Sequence, residues 1–405
     1  MFTLFKMAFR DLGRNRRRSF FSALALGLGL MVLLLMAGVI TWELTSSMDK
    51  SIRLQSGHLQ LRAKTYDENK ASLAYEDLIE NPEAVAAQIA AMAPVKVATP
   101  RLYASGIVVS GEESMGVRII GIDPASAANA PFQEGLVSGQ FLSADDTGGI
   151  LIGQTLADKL GLKAGDQVNL LVNTANGDVQ QQAFAVRGIY STHTPGYDQS
   201  AVFLPMAKAQ AITNTADHAS IIFILLKDGQ QAAAVKAAIQ SGQYEALTFE
   251  QMNVLLVQFN QYSNGFMIFL YLIVLGITAT VIVNTLIMAI FERTREIGIL
   301  AAIGMKGGRI MTMFFAESSL LAVGGILIGL ALGGLLVFLM GTYGFPIGNF
   351  GITGFLLGDR LYAQLTLNDV VTLSITALVV TLLASLYPAL LAARMEPVEA
   401  LRGGK

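Results

Sequence analysis

The sequence has no cysteine among its 405 residues. Disulfide bonds, thiolate zinc sites and cysteine nucleophiles are therefore excluded, and a large folded domain in this chain must be stabilised by its hydrophobic core. Three further signatures are absent from the sequence: the G-x-x-x-x-G-K-[ST] phosphate loop, the H-E-x-x-H zinc motif and the G-x-S-x-G nucleophile motif. His58, His193 and His218 lie far apart, so they do not predict a metal centre. We therefore expect no active site in this chain.

Charged residues are scarce at 14% of the chain, whereas hydrophobic residues make up 53%. The hydrophobic residues are concentrated in four windows that each exceed the roughly 18–20 residues needed to cross a bilayer. We predict membrane spans at residues 20–42, 263–291, 311–340 and 370–393. Glu317 is the single ionisable residue within these spans. The pattern predicts a multi-pass membrane protein.

Basic residues are distributed unevenly around these spans. The segment 341–369 contains only Arg360, whereas two other segments are rich in lysine and arginine. The basic residues before the first span and in segment 292–310 are Lys6, Arg10, Arg14, Arg16, Arg17, Arg18, Arg293, Arg295, Lys306 and Arg309. The positive-inside rule therefore predicts that both termini and residues 292–310 are cytoplasmic, and that residues 43–262 and 341–369 are extracytoplasmic. The first apolar run is longer than a signal-peptide core, so we expect a retained anchor.

Residues 1–19 are predicted to form an amphipathic helix at the cytoplasmic membrane surface. Phe2, Phe5 and Phe9 fall on one face at helical spacing, and the basic residues fall on the other. The same charges also suit a simpler role in setting the topology, and the two interpretations are compatible. Residues 394–405 are predicted to form a cytoplasmic tail.

The external segment 43–262 is long enough for a hydrophobic core of its own. Residues 95–122 alternate like two strands joined by a Gly-Glu-Glu turn, and residues 148–172 predict a strand, a helix, a turn and a strand. Residues 250–264 predict a stalk helix that leads into the second span. The predicted fold class is an α-helical membrane protein with four transmembrane helices and a large α+β extracytoplasmic domain, of two lobes, inserted between the first and second spans.

Several residues within the spans predict helix contacts. Gly325, Gly329 and Gly333 recur every four residues in the third span, and small residues at this spacing let two helices approach closely. We favour packing within the chain, with a dimer face as the alternative. Asn284 is expected to hydrogen-bond to a neighbouring helix. For Glu317 a proton relay is one interpretation, but we expect an anchor for adjoining helices or loops.

The cytoplasmic segment 292–310, ERTREIGILAAIGMKGGRI, is unusual for a connection between two spans. Its first residues are strongly charged, and helix-forming residues then continue to Ala302. Acidic residues near the start favour the helix dipole, and Gly304 stands where a C-terminal cap belongs. We expect a short helix that docks on a partner; a charged hairpin that only sets the topology is the alternative.

Two stretches resemble the signatures of a known family. IVNTLIMAIFERTREIGILAAIGMKGGRIMTMFFAES at 282–318 resembles the signature of the FtsX-like permease family, the MacB-type or mechanotransmission ABC transporters. YPALLAARMEPVEALR at 387–402 resembles the C-terminal signature of that family. The layout of spans is also similar, and the extended loop before the fourth span resembles the lipoprotein-release (LolC/LolE) branch. The chain departs from the MacB exporters, whose ATPase is fused in the same chain.

The resemblance implies that residues 292–304 form a coupling helix in a groove on a separate ATPase subunit. The residues implied in coupling are Glu292, Arg293, Arg295, Glu296, Ile297, Gly298, Ile299, Leu300 and Gly304. The charged residues of this set would make polar contacts, the isoleucines and the leucine would pack, and Gly298 would allow close approach.

The resemblance also implies partners and a location. No cofactor is expected in this chain, because ATP and Mg²⁺ would be bound by two copies of the partner ATPase. A second permease, identical or paralogous, would form a dimer with this one. A periplasmic carrier or adaptor protein and membrane lipids are further expected partners, and nucleic acid is not. The expected location is a bacterial cell (inner) membrane.

The implied function is that of a permease subunit, which turns ATP hydrolysis by its partner into extracytoplasmic conformational change. Extraction of lipoproteins or other lipophilic substrates from the outer leaflet is the first interpretation. Peptide or drug efflux, or resistance, is one alternative. A non-transporting activator of cell-wall hydrolases is another, although a smaller external domain would suffice for it. A stand-alone receptor would leave the coupling segment without a role.

Overall fold

In a computed structural model of the chain, the structure describes Arg10 and residues 16–67, 70, 72–240, 242–348 and 358–395, without the side chain of Asn264. Of the predicted helix at 1–19, residues 1–9 and 11–15 lie outside the described residues, as do residues 396–405 of the predicted tail. The described residues form two compact units. The membrane unit holds the residues up to 44, 259–345 and from 361 onward, and the external unit holds 45–258 and 346–360.

Helices dominate the membrane unit and are short in the external unit. The helices of the described residues are α1 (Arg16–Ser51), α2 (Pro82–Ala90), α3 (Ala130–Glu134), α4 (Gln154–Leu160), α5 (Pro195–Ser200), α6 (Met206–Thr213), α7 (Ala232–Ile239), α8 (Phe249–Met252), α9 (Val254–Glu292), α10 (Thr294–Ala302), α11 (Gly307–Tyr343) and α12 (Leu367–Ala393). A π-helical turn, Ile52–Ser56, continues from α1.

The strands lie between α1 and α9, apart from two short ones between α11 and α12. They are β1 (Leu59–Ala63), β2 (Ile79–Glu80), β3 (Val95–Ser110), β4 (Glu113–Ile122), β5 (Leu136–Gly139), β6 (Gly149–Gly153), β7 (Gln167–Asn173), β8 (Val179–Tyr190), β9 (Ala201–Pro205), β10 (His218–Ala219), β11 (Ile221–Leu226), β12 (Tyr244–Thr248), β13 (Phe345–Pro346) and β14 (Arg360–Leu361).

One sheet of ten strands forms the centre of the external unit. Its spatial order is β12-β1-β11-β3-β4-β9-β6-β8-β5, and β7 pairs with β3 and β8. Most pairs are antiparallel, whereas β4–β9 and β6–β8 are parallel. The predicted pair of strands at 95–122 is confirmed as the β3–β4 hairpin, which turns at Gly111 with φ +59°. The sequence suggested two lobes, but this one sheet runs through the described part of the unit.

Both faces of the sheet are covered, because successive residues of a strand point to opposite sides. Along β3, Leu102 and Ala104 join a core cluster with Phe184, whereas Tyr103 joins a second cluster with Phe203 on the other face. A third cluster lies at the β12 end of the sheet. Apolar packing therefore replaces the missing disulfides as the source of stability.

The membrane unit contains four helices that are long and apolar enough to cross a membrane: α1, α9, α11 and α12. The mean hydropathy of their most apolar windows lies between 2.2 and 2.7. Helix α1 runs past the predicted span 20–42, and α9 starts before the predicted span 263–291. Hydropathy identifies only the part of a helix that lies in the hydrocarbon core of the bilayer. It does not predict helical residues that extend beyond that core. This architecture agrees with the predicted fold class.

The glycines of the third span pack closely against α1. A methyl group added to each would approach a leucine of α1 to within 2.9 Å, in the pairs Gly325–Leu26, Gly329–Leu30 and Gly333–Leu34. At Gly329 the same methyl group would also lie 2.9 Å from the carbonyl oxygen of Gly27. Only glycine allows two helix backbones to approach this closely. The glycine spacing therefore serves packing within the chain.

We expect Gly329→Leu to destabilise the membrane unit by about 1–3 kcal/mol, because the added side chain overpacks the contact between α11 and α1. Thermal unfolding of the purified protein in lipid nanodiscs measures the effect. Gly334→Leu is the matched control on the same helix, since a Cβ at Gly334 meets nothing within 4 Å. Equal melting temperatures for the two variants would contradict this account of the glycine contact.

Candidate coupling site

A break in the helix separates α9 from α10. Arg293 lies between them with φ −113° and ψ 17°, and it caps the start of α10. The Ile297 amide donates to the Arg293 carbonyl at 2.9 Å, and the Thr294 hydroxyl donates to the Ile290 carbonyl at 3.1 Å. The chain therefore leaves the second membrane helix and begins α10 within two residues.

The end of α10 is a Schellman motif centred on Gly304. The Gly304 amide donates to the Ala301 carbonyl and the Met305 amide donates to the Leu300 carbonyl, both at 3.0 Å. Gly304 has φ +93°, which glycine adopts without steric cost. The chain then extends through Lys306 and enters α11 at Gly307. The position of Gly304 agrees with the cap that the sequence predicts.

The inner side of α10 is buried by the other helices of the membrane unit. Ile297 is 2% exposed and Gly298 is also buried. Ile297 packs in a cluster with Ile290 of α9, Phe314 of α11 and Ala389 of α12. Helix α10 is therefore fixed to three membrane helices through one apolar contact region.

Two ion pairs connect the junction between α9 and α10 to α11 and to α1. Arg293 Nη1 lies 3.9 Å from Glu317 Oε2, and both side chains are nearly fully buried. Arg18 Nη1 lies 2.5 Å from Glu292 Oε2 in a more exposed position. Taking a charge out of water costs several kcal/mol, and an opposite charge close by offsets that cost. Glu317 therefore lies where an anchor for the adjoining segment would lie.

The outer side of α10 is exposed and carries mixed chemistry. Arg295 and Glu296 are exposed at its start, and one turn later Ile299 is 47% exposed. Ile303, four residues beyond Ile299, is 76% exposed. Residues at this spacing share one face of a helix. We call this surface, formed by Arg295, Glu296, Ile299 and Ile303, the α10 docking face.

The structure divides the predicted coupling residues between these two sides. Arg293, Ile297 and Gly298 are buried by the chain itself, and Leu300 is half-buried. Glu292 is exposed at the end of α9. Ile303 was outside the predicted set, although its spacing of four residues from Ile299 could have indicated it.

Asn284 in α9 is predicted to hydrogen-bond to a neighbouring helix. Asn284 lies exposed on α9, and within the described part of the chain its side chain makes no hydrogen bond. The expected bond to a neighbouring helix is therefore not made among the described residues. Among the described residues, no group of three or more histidine, aspartate or glutamate side chains could hold a metal ion.

Comparisons with known proteins match both parts of the chain. Residues 19–241 match the family described as MacB-like periplasmic core domain, and residues 268–397 match the family described as FtsX-like permease C-terminal. The lipoprotein-releasing system transmembrane protein LolE of Haemophilus influenzae is 26% identical over 323 residues, which cover 76% of this chain and 77% of the relative.

Two further relatives differ in how much of their length is matched. The lipoprotein-releasing system transmembrane protein LolC of Neisseria meningitidis is 23% identical over 331 residues, covering 75% of this chain and 77% of the relative. The pyoverdine export ATP-binding/permease protein PvdT of Pseudomonas aeruginosa is 29% identical over 213 residues. That match covers 53% of this chain and 28% of PvdT.

We expect Glu317→Ala to lower the free energy of unfolding by about 3–5 kcal/mol, because it removes an opposite charge beside the buried Arg293 guanidinium. Replacing both members, as Arg293→Met with Glu317→Leu, should recover most of the loss. Chemical unfolding of the purified protein in detergent measures both. Glu292→Ala is the control in the exposed pair, and its cost should not exceed about 1 kcal/mol. Equal stability of Glu317→Ala and Glu292→Ala would rule out the anchoring role.

Proposed function

The chain belongs to the FtsX-like, MacB-type family of ABC transporter permeases, and we propose that it couples ATP hydrolysis by a separate ATPase subunit to movement of its external unit. This proposal depends above all on the geometry of α10. One side of this short helix is fixed to three membrane helices, while the docking face on the other side is exposed. A helix held in this way transmits a push from a docked partner to the membrane helices.

The chemistry of the α10 docking face suits a protein partner. Arg295 and Glu296 supply one charge of each sign, and Ile299 and Ile303 supply apolar area beside them. Protein interfaces combine an apolar centre with a polar rim in this manner. The sequence has no phosphate loop, so the nucleotide site is assigned to the partner ATPase, together with its Mg²⁺.

Helix α9 is long enough to carry movement from α10 across the bilayer to the external unit. Helix α9 has 39 residues, which at 1.5 Å per residue makes it about 58 Å long. The hydrocarbon core of a bilayer is only about 30 Å thick. Helices α1 and α9 both include residues of the external unit, and Arg18 and Glu292 join them near their other ends. We therefore propose that these two helices carry the displacement of α10 to the external unit.

A second permease is the proposed partner within the membrane. An amide surrounded by hydrocarbon lacks the hydrogen bonds that water would give it, so exposed Asn284 on α9 favours a helix from another chain. An identical or a paralogous copy would both satisfy this requirement. Two ATPase subunits would match such a pair, and a periplasmic carrier or adaptor would receive the substrate.

For the substrate we propose a lipoprotein or another lipophilic molecule taken from the outer leaflet. The names of the LolE and LolC relatives, each matched over about three quarters of this chain, favour this choice. The alternative, export of a small molecule, is favoured by the name of PvdT, of which only 28% is matched. An activator of cell-wall hydrolases is less consistent with a ten-stranded external unit.

The coupling proposal predicts that Glu296→Lys weakens binding of the ATPase about tenfold or more, because the reversed charge faces the partner. Co-purification of the ATPase with the permease measures this. Glu112→Lys, the same charge reversal at an exposed turn of the external unit, is the control and should retain the ATPase. Normal ATPase content in the Glu296→Lys complex would count against docking at α10.

The same two variants also test the substrate. Cells that depend on Glu296→Lys should keep acylated proteins in the inner membrane, whereas cells with Glu112→Lys should not. If ATPase binding is lost and lipoproteins still fractionate normally, the lipoprotein assignment is wrong and the coupling proposal stands.

A further inference from the structure

Helix α1 continues in the external unit into the π-helical turn Ile52–Ser56. The Gly57 amide closes this turn by donating to the Ile52 carbonyl at 2.9 Å. π-Helical turns are rare and occur frequently at functional sites. The last carbonyls of a helix also lack partners inside the helix, so other groups must satisfy them. The side chains around the turn therefore determine how firmly α1 is attached to the external unit.

Two side chains donate to one carbonyl of this turn, that of Leu54. Arg101 in β3 donates through Nη1 at 2.9 Å, and Tyr197 in α5 donates through its hydroxyl at 3.3 Å. All three residues are buried. A hydrogen bond from a charged donor is also stronger than one between neutral groups. The turn is therefore fixed to two separate elements of the external unit, and we call Arg101 and Tyr197 the Leu54 clamp.

The charged member of the Leu54 clamp lies in the middle of the sheet. Strand β3 pairs at Arg101 with β11 on one side and with β4 on the other. The guanidinium carbon of Arg101 lies 3.7 Å from the centre of the Phe223 ring of β11, which is a cation–π contact. The clamp therefore connects the turn to the interior of the ten-stranded sheet.

Stability alone does not explain a charged side chain at this position. Nε and Nη2 of Arg101 are buried and make no hydrogen bond within the described residues. An incompletely satisfied buried charge is costly, and an apolar side chain of similar volume is often neutral or stabilising in its place. Such a group calls for a specific explanation. The bond to the Leu54 carbonyl supplies one, because an apolar side chain cannot make it.

The neutral member of the Leu54 clamp remains a hydrogen-bond donor. Burial raises the pKa of the Tyr197 phenol, and the charge of Arg101 only partly opposes that rise. The Tyr197 hydroxyl is therefore protonated at physiological pH. Both members of the clamp can thus donate to the Leu54 carbonyl under the conditions in which the protein works.

The second long helix meets α1 beside the turn. Ser51, the last residue of α1, donates its hydroxyl to Asn253 Oδ1 at 3.1 Å. Asn253 lies directly before α9, and its carbonyl accepts the Val257 amide at 3.0 Å. The Ser56 hydroxyl donates to the Ser51 carbonyl at 3.1 Å. Hydrogen bonds therefore join the end of α1, the start of α9 and the clamped turn within the external unit.

We propose that the Leu54 clamp transfers movement of α1 to the ten-stranded sheet, because it prevents the π-helical turn from deforming when α1 moves. Arg101 and Tyr197 are positioning residues in this role, since they act through the Leu54 carbonyl. Without the clamp, the turn would absorb the displacement. The inference rests on the proposed coupling, and it adds the point at which the displacement passes from a helix into the sheet.

The test uses the full-length protein with its ATPase in lipid nanodiscs, with spin labels on pairs of introduced cysteines. Thr45→Cys with Glu112→Cys measures the distance from α1 to the β3–β4 turn, the helix-to-sheet distance. Thr342→Cys with Glu112→Cys measures the membrane-to-sheet distance. All three positions are exposed, so the labels lie outside the core. Pulsed electron paramagnetic resonance gives each distance distribution with and without ATP.

With the clamp intact, we expect the helix-to-sheet distance to stay the same when ATP binds, whereas the membrane-to-sheet distance shifts. Arg101→Met should broaden the helix-to-sheet distribution even without ATP, and it should remove most of the membrane-to-sheet shift. Arg101→Lys keeps a charged donor and should restore part of that shift. Tyr197→Phe removes only the 3.3 Å bond, so it should act in the same direction with a smaller effect.

Tyr190→Phe is the matched control. Tyr190 is buried in the same core cluster as Tyr197, and its hydroxyl donates to the Ala201 carbonyl at 2.9 Å, not to the turn. This variant loses the same kind of bond and should leave both distributions unchanged. Arg101→Met should leave the melting temperature unchanged or raise it, because an apolar side chain replaces a buried charge. A purely structural role of Arg101 would lower it.

Distributions in Arg101→Met that equal those in Tyr190→Phe would overturn the proposal. A lower melting temperature in Arg101→Met with a normal ATP-dependent shift would also overturn it. If the membrane-to-sheet distance shifts with ATP in both the intact protein and Arg101→Met, the coupling stands and the clamp alone is wrong. If it does not shift with the clamp intact, the proposed coupling fails and the transfer through the clamp fails with it.

Discussion

The buried ion pair between Arg293 and Glu317 is the contact on which the coupling arrangement depends. It joins the start of α10 to α11 in a region where an unpaired charge would be costly. Ile297, one turn further along α10, adds an apolar contact with the same helices. In the proposed coupling, a push on the exposed side of α10 would displace the membrane helices, because α10 is held against them by both a charge pair and apolar packing.

The close approach of α1 to α11 extends this arrangement to the first span. Gly325, Gly329 and Gly333 allow the two backbones to approach, and the Arg18–Glu292 pair joins α1 to the end of α9. Helix α1 is thereby joined to both α9 and α11, two of the helices that pack against α10. The proposed coupling therefore depends on specific packing and paired charges.

The sequence was sufficient for features that depend on local or repeated patterns. Four apolar windows predict four spans, Gly304 predicts a helix cap, and the glycine spacing predicts a helix contact; the predicted fold class and family are confirmed. The pairing of Arg18 with Glu292 could not be predicted, because 274 residues separate them. The burial of Arg293 could not be predicted either, since a charged residue in a cytoplasmic segment is usually exposed. The single ten-stranded sheet also depends on non-local pairing.

We propose that ATP-driven force enters through α10 and moves the external unit. Because the chain has no cysteine, spin labels can be attached at Glu112→Cys in the external unit and Thr342→Cys at the end of α11 without other changes. Electron paramagnetic resonance spectroscopy of the complex with its ATPase measures the distance between the two spin labels. We expect a distance distribution that shifts when ATP is bound and does not shift when Glu296→Lys is added. The same distribution with and without ATP, or a shift that survives Glu296→Lys, would contradict it.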